Sequence, residues 1–163
     1  MLPLEGIRAV EFAHMVMGPS CGLVLADLGA EVIKIEPLKG DNTRRLEAAG
    51  AGFFPVFNRN KKSLAVDLQH AEGLALVHKL LKTADVLTEN FRPGALDKLG
   101  LSYEKLSLEN PGLIYCSLKG FLHGPYEHRP ALDEVTQMMG GLAYMTGRPG
   151  AVSYTHLTLP TKA

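Results

Sequence analysis

The amino-acid sequence predicts an α/β fold in which a parallel sheet carries helices on both faces. Short apolar runs rich in Val and Ile alternate along the chain with segments whose apolar residues recur at helical spacing. Glycine and proline separate most of these segments. Strands that alternate with helices in this way form parallel sheets built from right-handed crossovers. Such sheets bind ligands beyond the carboxyl ends of their strands, so the loops after Phe12, Glu36, Leu68 and Glu89 are the candidate site.

The first half of the chain contains two predicted strands with a helix between them. The strands lie at residues 7–12 and 30–36. The helix is predicted from apolar residues at helical spacing, namely Cys21, Leu23, Val24, Leu25 and Leu28. Gly29 is a natural C-terminal end for this helix. A loop rich in glycine and charge follows, from residue 37 to about residue 52.

The second half of the chain continues the same alternation. Three further strands are predicted at residues 64–68, 85–91 and 113–118. Helices are predicted at residues 71–81, 93–99, 103–108 and 132–144. The first of these helices places four apolar side chains on one face, those of Leu74, Val77, Leu80 and Leu81. The last helix is predicted in spite of Gly140 and Gly141 in its middle.

Residues 151–163 do not continue this alternation. They are polar and rich in threonine, with no helical period and only half a strand. We therefore expect the domain to occupy residues 1–150 and to be incomplete. Residues 151–163 are expected to be an anomalous tail of foreign sequence, such as translated cloning or adapter DNA. A native C-terminal edge strand is the alternative.

Composition excludes several classes of protein. A chain of 163 residues, 46% hydrophobic, is long enough for one domain at most. Seventeen basic residues balance seventeen acidic ones, which argues against a nucleic-acid partner. Two cysteines without short spacing exclude a disulfide scaffold and a thiolate zinc site. There is no apolar run of about 18 residues and no secretory signal, so we expect a cytoplasmic protein that does not bind membranes.

The loop at residues 14–19 joins the first strand to the first helix. Gly18 would let the backbone approach a ligand, and Pro19 suits the first helical turn, whose free N–H groups attract anions. The spacing of the glycines is not that of the G-x-G-x-x-G fingerprint. An ordinary strand-to-helix turn is the alternative, and His14 is more simply a loop residue than a catalyst.

Two basic segments lie near predicted strand ends. Residues 40–45 include Arg44 and Arg45, and residues 57–63 include three more cations. Such groups suit a ligand that carries several phosphates, because Arg and Lys pair with phosphate oxygens. Solvated turns are the alternative for both segments.

The remaining polar residues show no pattern typical of catalysis. Asp133 opens the last predicted helix with Gln137 on the same face, and an N-terminal cap explains it as well as a ligand contact does. Cys21 and Cys116 are most simply core residues. From the residues alone, the chain is an α/β domain that binds a phosphorylated ligand.

Taken in order, several segments resemble the class III CoA-transferases, also called the CaiB/BaiF family. This family includes formyl-CoA transferase, carnitine CoA-transferase and α-methylacyl-CoA racemase. The matching segments are residues 4–12, 18–21, 28–36, 40–41, 57–63, 85–94, 118–120 and 129–133. No single segment is diagnostic, but the ordered set over residues 1 to about 150 is specific.

The resemblance implies a Rossmann-like large domain, of which this chain carries the N-terminal part, and an interlocked homodimer for the complete protein. It implies transfer of CoA from an acyl-CoA donor to a small carboxylic acid through an aspartyl covalent intermediate. Coenzyme A or acyl-CoA is then a substrate, and no metal or permanently bound cofactor is implied. The family's nucleophilic aspartate lies beyond the segment matched by residues 146–149, so we expect no catalytic residue in this chain and no activity.

The resemblance also carries CoA contacts over by position. Val16 and Met17 are expected near the thiol end of CoA, and Lys98 is expected to face phosphate. The other expected contacts are Val66, Asp67, Leu68, Gln69, Asn90, Phe91, Arg92, Ala131, Leu132 and Asp133. Pro37 stands where some relatives have an arginine, and Lys39, Arg44 or Arg45 would then supply the phosphate contact.

Two alternatives remain beside the transferase. Racemases of the family use a histidine directly before the aspartate matched by Asp133, and this chain has Leu132 there. Leucine cannot exchange a proton, so an acyl-CoA racemase or epimerase is less favoured than a transferase. The other alternative is a CoA-binding module that performs no catalysis.

Overall fold

A computed structural model describes residues 1–145 and shows a five-stranded parallel sheet. The strands are β1 (Arg8–Phe12), β2 (Glu31–Glu36), β3 (Lys61–Ala65), β4 (Val86–Glu89) and β5 (Ile114–Ser117). Their order across the sheet is β3-β2-β1-β4-β5, with every neighbouring pair parallel. The direction of winding reverses at β1, which makes its carboxyl end the switch point where such sheets bind ligands. The predicted boundary at residue 150 and the tail at residues 151–163 lie outside the described residues.

The chain divides into two compact units. The first, Met1–Leu118, contains the sheet and the helices α1 (Met17–Asp27), α2 (Phe53–Phe57), α3 (Ala71–Leu81) and α4 (Tyr103–Glu109). The second begins at Lys119, and its described part contains α5 (Asp133–Met139) and α6 (Leu142–Met145). Single 3-10 turns occur at Asn42–Arg45, Ala48–Gly50 and Asp97–Leu99. Within residues 1–145, no helix is long and apolar enough to cross a membrane.

Helices cover both faces of the sheet, as predicted. Side chains alternate between the faces of a strand, so Val10 and Phe12 of β1 enter one core cluster while Ala9 enters the other. The larger cluster includes Val77 of α3, and the smaller one includes Ala26 of α1. Both faces of the central strands are therefore buried, which is the usual state of an all-parallel sheet.

Helix α1 lies unusually close to the sheet because its inner face lacks large side chains. Gly18, Gly22 and Ala26 recur every fourth residue and are all buried. A Cβ atom at Gly22 would overlap the carboxylate of Glu11 on β1. At Gly18 and Gly22 the helix backbone is consequently in close contact with the side chains of Ala13, Asn90 and Glu11.

Several element boundaries differ from the predicted ones. The third strand spans Lys61–Ala65 rather than residues 64–68, because it is an edge strand in which Lys62, Ser63 and Ala65 are exposed. Helix α2 was not predicted, since it occupies only five residues of a loop and contains a proline. The helix predicted over residues 132–144 is two helices, separated at Gly141, whose φ of 77° is incompatible with a continuous α-helix.

Candidate functional site

The loop between β1 and α1 lies at the carboxyl end of the central strand, where the sheet reverses its winding. Asn90 follows β4 and holds the middle of this loop through two hydrogen bonds. The backbone N–H of His14 donates to Asn90 Oδ1 over 3.0 Å, and Asn90 Nδ2 donates to the His14 carbonyl over 2.8 Å. Met15, next in the chain, has a φ of 64°, a conformation that costs about 1 kcal/mol or more for a residue with a side chain. The surrounding contacts therefore impose the loop's shape.

The predicted contacts Val16 and Met17 stand on this loop. Val16 is half-buried and Met17 is 49% exposed. The hydroxyl of Ser20 donates to the Val16 carbonyl over 2.7 Å, which ties the loop to the first turn of α1. Gly18 differs from its prediction, because Ala13 and Asn90, rather than open space for a ligand, fill the volume that its side chain would occupy.

The segment after β3 presents its predicted contacts to two different environments. Val66 is buried, and Leu68 packs against the core. Asp67 and Gln69 are exposed, and the Asp67 carboxylate accepts the Gln69 backbone N–H over 2.9 Å. The side chains of Asp67 and Gln69 are therefore exposed, that of Leu68 is half-buried, and that of Val66 is buried.

The segment after β4 combines an aromatic ring with cations. The ring of Phe91 lies 5.7 Å from that of His14 and also packs against the core. Arg92 and Lys98 are exposed, and neither forms an ion pair with another residue among positions 1–145. Asn90, Phe91 and the loop of Val16 and Met17 are thus brought together at adjacent strand ends.

For the basic segment at residues 40–45, a phosphate ligand and a solvated turn were the two alternatives, and both arginines are paired within the chain. Arg44 donates two hydrogen bonds to Glu36, of 2.8 and 2.6 Å, and its guanidinium lies 3.8 Å from the centre of the Phe54 ring. Arg45 donates to the Lys39 carbonyl over 2.7 Å. These arginines shape the loop after β2, so the expectation that Arg44 or Arg45 replaces a phosphate contact at Pro37 is not supported by their geometry.

The same holds for the second basic segment. Arg59 pairs with Asp27 over 2.6 Å, and Lys62 pairs with Glu31 over the same distance. Lys61 is buried and pairs with Glu11 over 2.7 Å. Burial lowers the pKa of Lys61, and the neighbouring Glu11 carboxylate partly offsets that effect.

Glu36 is the carboxylate around which the loop after β2 is organised. Burial alone would raise its pKa, but hydrogen bonds from Arg44, from the backbone N–H of Asp41 and from the Ser63 hydroxyl outweigh burial and lower the pKa to about 2. Glu36 is consequently charged at neutral pH and serves as a fixed acceptor for the loop.

Sequence reasoning missed a group of buried charges behind the β1–α1 loop, formed by Glu11, Lys34, Asp41 and Lys61. Their side chains are 6% exposed or less. Lys34 lies opposite Glu11 in the register of β1 and β2. The sequence did contain a signal, since Glu11 and Lys34 carry opposite charges within two apolar runs. A strand buried on both faces has no exposed side, so such charges have to pair with each other inside the protein.

The second unit contains the last three predicted contacts. Asp133 is the first residue of α5, and its carboxylate accepts the Gln137 side-chain amide over 2.6 Å, which confirms that the two share a face. Leu132, not Asp133, occupies the N-cap, and it is 68% exposed. Ala131 is half-buried against Gly120.

A separate cavity of about 390 Å³ lies at the amino ends of the strands, the opposite edge of the sheet. Its polar groups are already paired, since Arg8 bonds Glu31 over 2.6 Å and Thr83 over 2.8 Å. Among residues 1–145 there is no group of three or more metal-binding side chains. The loops at the carboxyl ends therefore remain the candidate site.

Comparison with known proteins identifies the family. The model of CoA-transferase family III matches residues 4–159. A succinate–glutarate CoA-transferase of Agrobacterium fabrum is 45% identical over 159 residues, covering 90% of this chain and 40% of that protein. A formyl-CoA:oxalate CoA-transferase of Rhodopseudomonas palustris is 42% identical, covering 88% of this chain and 35% of that protein.

Comparison with solved structures leads to the same family. The crystal structure of a CaiB/BaiF family protein from Brucella suis superposes with a TM-score of 0.86 at 45% identity, covering 93% of this chain and 43% of that one. This chain thus spans less than half the length of each of these three relatives. With the family model matched along nearly all of the sequence, the chain belongs to CoA-transferase family III.

Proposed function

We propose that the complete protein is an acyl-CoA transferase and that residues 1–145 supply part of its CoA-binding surface. The observation that carries this proposal is that a pre-shaped apolar loop lies beside Phe91 at the switch point of the sheet. The segment that follows Phe91 bears two exposed cations, Arg92 and Lys98, that form no ion pair within residues 1–145. Coenzyme A combines an apolar arm ending in a thiol with several phosphates. Loops of this composition suit both parts of that molecule.

Each group of residues has a distinct proposed role. Val16 and Met17 contact the arm near the thiol, and Phe91 supplies an apolar wall beside them. Arg92 and Lys98 pair with phosphates, because they are exposed and carry no ion pair within residues 1–145. The exposed polar side chains after β3, Asp67 and Gln69, contact the nucleotide, with Val66, Leu68 and Asn90 holding the backbone in place. Ala131, Leu132 and Asp133 are the proposed CoA contacts that belong to the second unit.

The proposed chemistry uses an aspartate that lies beyond residue 149. Its carboxylate attacks the thioester carbonyl of the donor, the carbon–sulfur bond breaks, and a mixed anhydride forms as CoA thiolate leaves. The thiolate then attacks the aspartyl carbonyl, which releases the donor acid and leaves an aspartyl thioester. The acceptor carboxylate attacks this thioester and expels CoA thiolate again, giving a second anhydride. Attack of that thiolate on the acceptor's acyl carbon yields the new acyl-CoA and restores the aspartate.

Other features of the complete protein belong to the same proposal. Its acceptor is a small carboxylic acid, and it works as an interlocked homodimer in the cytoplasm. We propose the domain boundary at residue 150 and a foreign origin for residues 151–163, although the match to the family model extends to residue 159. Leu132, which has no titratable group, disfavours the racemase alternative.

Measurement of CoA binding to the 163-residue chain by titration calorimetry tests the proposal. The double variant Arg92→Ala/Lys98→Ala is expected to raise the Kd for CoA about tenfold or more, because two charge-assisted phosphate contacts are lost. Lys105→Ala, which removes an exposed cation from α4, is the matched control and is expected to leave the Kd unchanged. Absence of CoA binding, or an equal effect of the control, would contradict the proposal.

A further inference from the structure

Two buried lysines hold the two ends of the β1–α1 loop. Lys34 Nζ donates to the carbonyl of Ala13, where the loop begins. Lys61 Nζ donates to the carbonyl of Pro19 over 2.7 Å, where the loop has entered the first turn of α1. Val16 lies between these two anchors.

Each lysine is fully satisfied by three acceptors. Lys34 lies 3.3 Å from Glu11 Oε1 and 3.1 Å from Asp41 Oδ2, in addition to the Ala13 carbonyl. Lys61 lies 2.7 Å from Glu11 Oε2 and 3.4 Å from the amide oxygen of Asn58, in addition to the Pro19 carbonyl. An ammonium group has three N–H donors, so each lysine directs one of its three at a loop carbonyl.

The ion pairs alone do not explain this arrangement. Removing four charged side chains from water carries a desolvation penalty that apolar residues of similar volume would avoid, often with equal or greater stability. The four groups carry two positive and two negative charges, and all are buried. What a lysine provides and an apolar side chain does not is a directed hydrogen bond to the loop backbone.

The loop needs such anchors because its conformation is unfavourable by itself. Met15 has a φ of 64°, in the left-handed region that favours glycine. Asn90 fixes the residue before it through both backbone groups of His14. The loop is therefore held at its beginning, its middle and its end.

We propose that Lys34 and Lys61 are positioning residues, which preform the loop that presents Val16 and Met17 before any ligand binds. The identity of the ligand rests on the proposed function, whereas the preformed loop is a property of this chain alone. The two claims can therefore fail separately.

Amide hydrogen exchange by NMR on the 163-residue chain without ligand tests the positioning role. In Lys61→Met, the amides of His14 and Ser20 are expected to exchange about tenfold faster or more. The sheet amide of Glu31, which donates to the Ile7 carbonyl, is the internal reference. Lys62→Met is the matched control, because the neighbouring lysine is 71% exposed and pairs at the surface.

The double variant Glu11→Gln/Lys61→Met separates positioning from stability. The single variant leaves two buried carboxylates, Glu11 and Asp41, against Lys34 alone. The double variant removes this excess negative charge, so the thermal midpoint is expected to recover while the loop amides still exchange fast. Recovery of loop protection together with the midpoint would overturn the proposal. If Lys61→Met does not fold, the same exchange measurement on the unsubstituted chain still tests the proposal. Amides of His14 and Ser20 that exchange as fast as those of an unstructured loop would overturn the proposal.

Ligand binding supplies an independent measurement. Lys61→Met is expected to weaken binding of CoA about tenfold while leaving binding of adenosine 3′,5′-bisphosphate, which lacks the thiol arm, unchanged. Equal weakening of both ligands would indicate a general structural defect and contradict positioning. If the unsubstituted chain binds neither ligand, the proposed function fails, and the exchange experiment still decides the role of the lysines.

Discussion

Lys61 and Lys62 are neighbours on β3, yet the sheet places them in opposite environments. The side chain of Lys61 is 2% exposed and that of Lys62 is 71% exposed. Successive side chains of a strand point to opposite faces, so one lysine lies beneath α1 and the other faces solvent. Two adjacent lysines thus differ in environment, since Lys61 forms its contacts inside the protein and Lys62 forms its ion pair at the surface.

Glu36 makes stability depend on pH in a defined window. Its pKa is about 2 in the folded chain and 4.5 when unperturbed, so the unfolded chain takes up the proton first as the pH falls. The stability that Glu36 contributes is complete above pH 4.5 and is lost as the pH approaches 2. We expect a loss on the order of 2 kcal/mol from this group between pH 6 and pH 3, measured by urea denaturation.

The variant Glu36→Gln is the control for this measurement. It cannot titrate, so it is expected to be less stable at pH 6 and to lose less stability between pH 6 and pH 3 than the unsubstituted chain. An identical pH dependence in both proteins would show that Glu36 does not carry the effect.

At the scale of elements, the contact between α1 and β1 determines where the candidate loop lies. Gly18 and Gly22 allow the helix backbone to approach Ala13, Asn90 and the carboxylate of Glu11. A helix with larger residues on this face would stand farther from the sheet. The carbonyl of Pro19, in the first turn of α1, would then lie out of reach of Lys61.

Gly22→Ala tests this close contact. Alanine in a helix interior normally stabilises by about 1 kcal/mol relative to glycine. Here its methyl group would overlap Glu11, whose carboxylate is held by two lysines and cannot move freely, so we expect a net destabilisation of about 1–3 kcal/mol in urea denaturation.

Gly52→Ala is the matched substitution, because an added methyl group at Gly52 would meet no atom within 4 Å and its φ is −81°. This control is expected to change the free energy of unfolding by less than about 0.5 kcal/mol. Equal stability of Gly22→Ala and the unsubstituted chain would mean that the helix can move away from β1.

At the scale of the whole molecule, this chain supplies the sheet and its loops, whereas the proposed nucleophile lies beyond residue 149. The described residues contain the five parallel strands and the loops at their carboxyl ends. The chain spans 40% of the succinate–glutarate CoA-transferase that it matches. The proposed CoA binding and the proposed catalysis can therefore be tested in separate experiments.

We expect the 163-residue chain to show no CoA transfer above background, because the proposed nucleophile lies beyond residue 149. The complete gene product, incubated with acyl-CoA, is expected to trap an acyl group on an aspartate, detected as a mass increase by peptide mass spectrometry. Replacing that aspartate with asparagine is the control and should abolish the adduct. Turnover by the 163-residue chain would contradict the placement of the nucleophile.

The sequence predicted best those elements whose apolar residues mostly face the core and whose polar residues mostly face solvent. The α3 boundaries agree with residues 71–81, because one apolar face packs on the sheet and the other is solvated. The boundaries of β3 were displaced, because Lys61 and Ser63 are polar residues in an edge strand. The hydrophobic pattern of the sequence does not show that the side chain of Lys61 forms an ion pair with Glu11 beneath α1.

For the candidate site, the sequence predicted the loops but not the state of their charges. The loops after β1 and β4 do lie at adjacent strand ends. Arg44 was one of three candidates for a phosphate contact, with a solvated turn as the alternative, and its guanidinium pairs with Glu36, eight residues away in the chain. Pairing depends on which groups meet in space, and spacing along the chain does not determine that.

Hydrophobic periodicity by itself determined the parallel α/β sheet with helices on both faces, because burial on two faces requires apolar runs that alternate with amphipathic helices. Only the tertiary structure decided which cations are exposed to a ligand and which form ion pairs inside the protein. Arg92 stands unpaired within residues 1–145, whereas Lys34 and Lys61 are buried against Glu11. The physical reason is that electrostatic pairing acts over a few ångströms, and strands distant in sequence come within that range only when the sheet has formed.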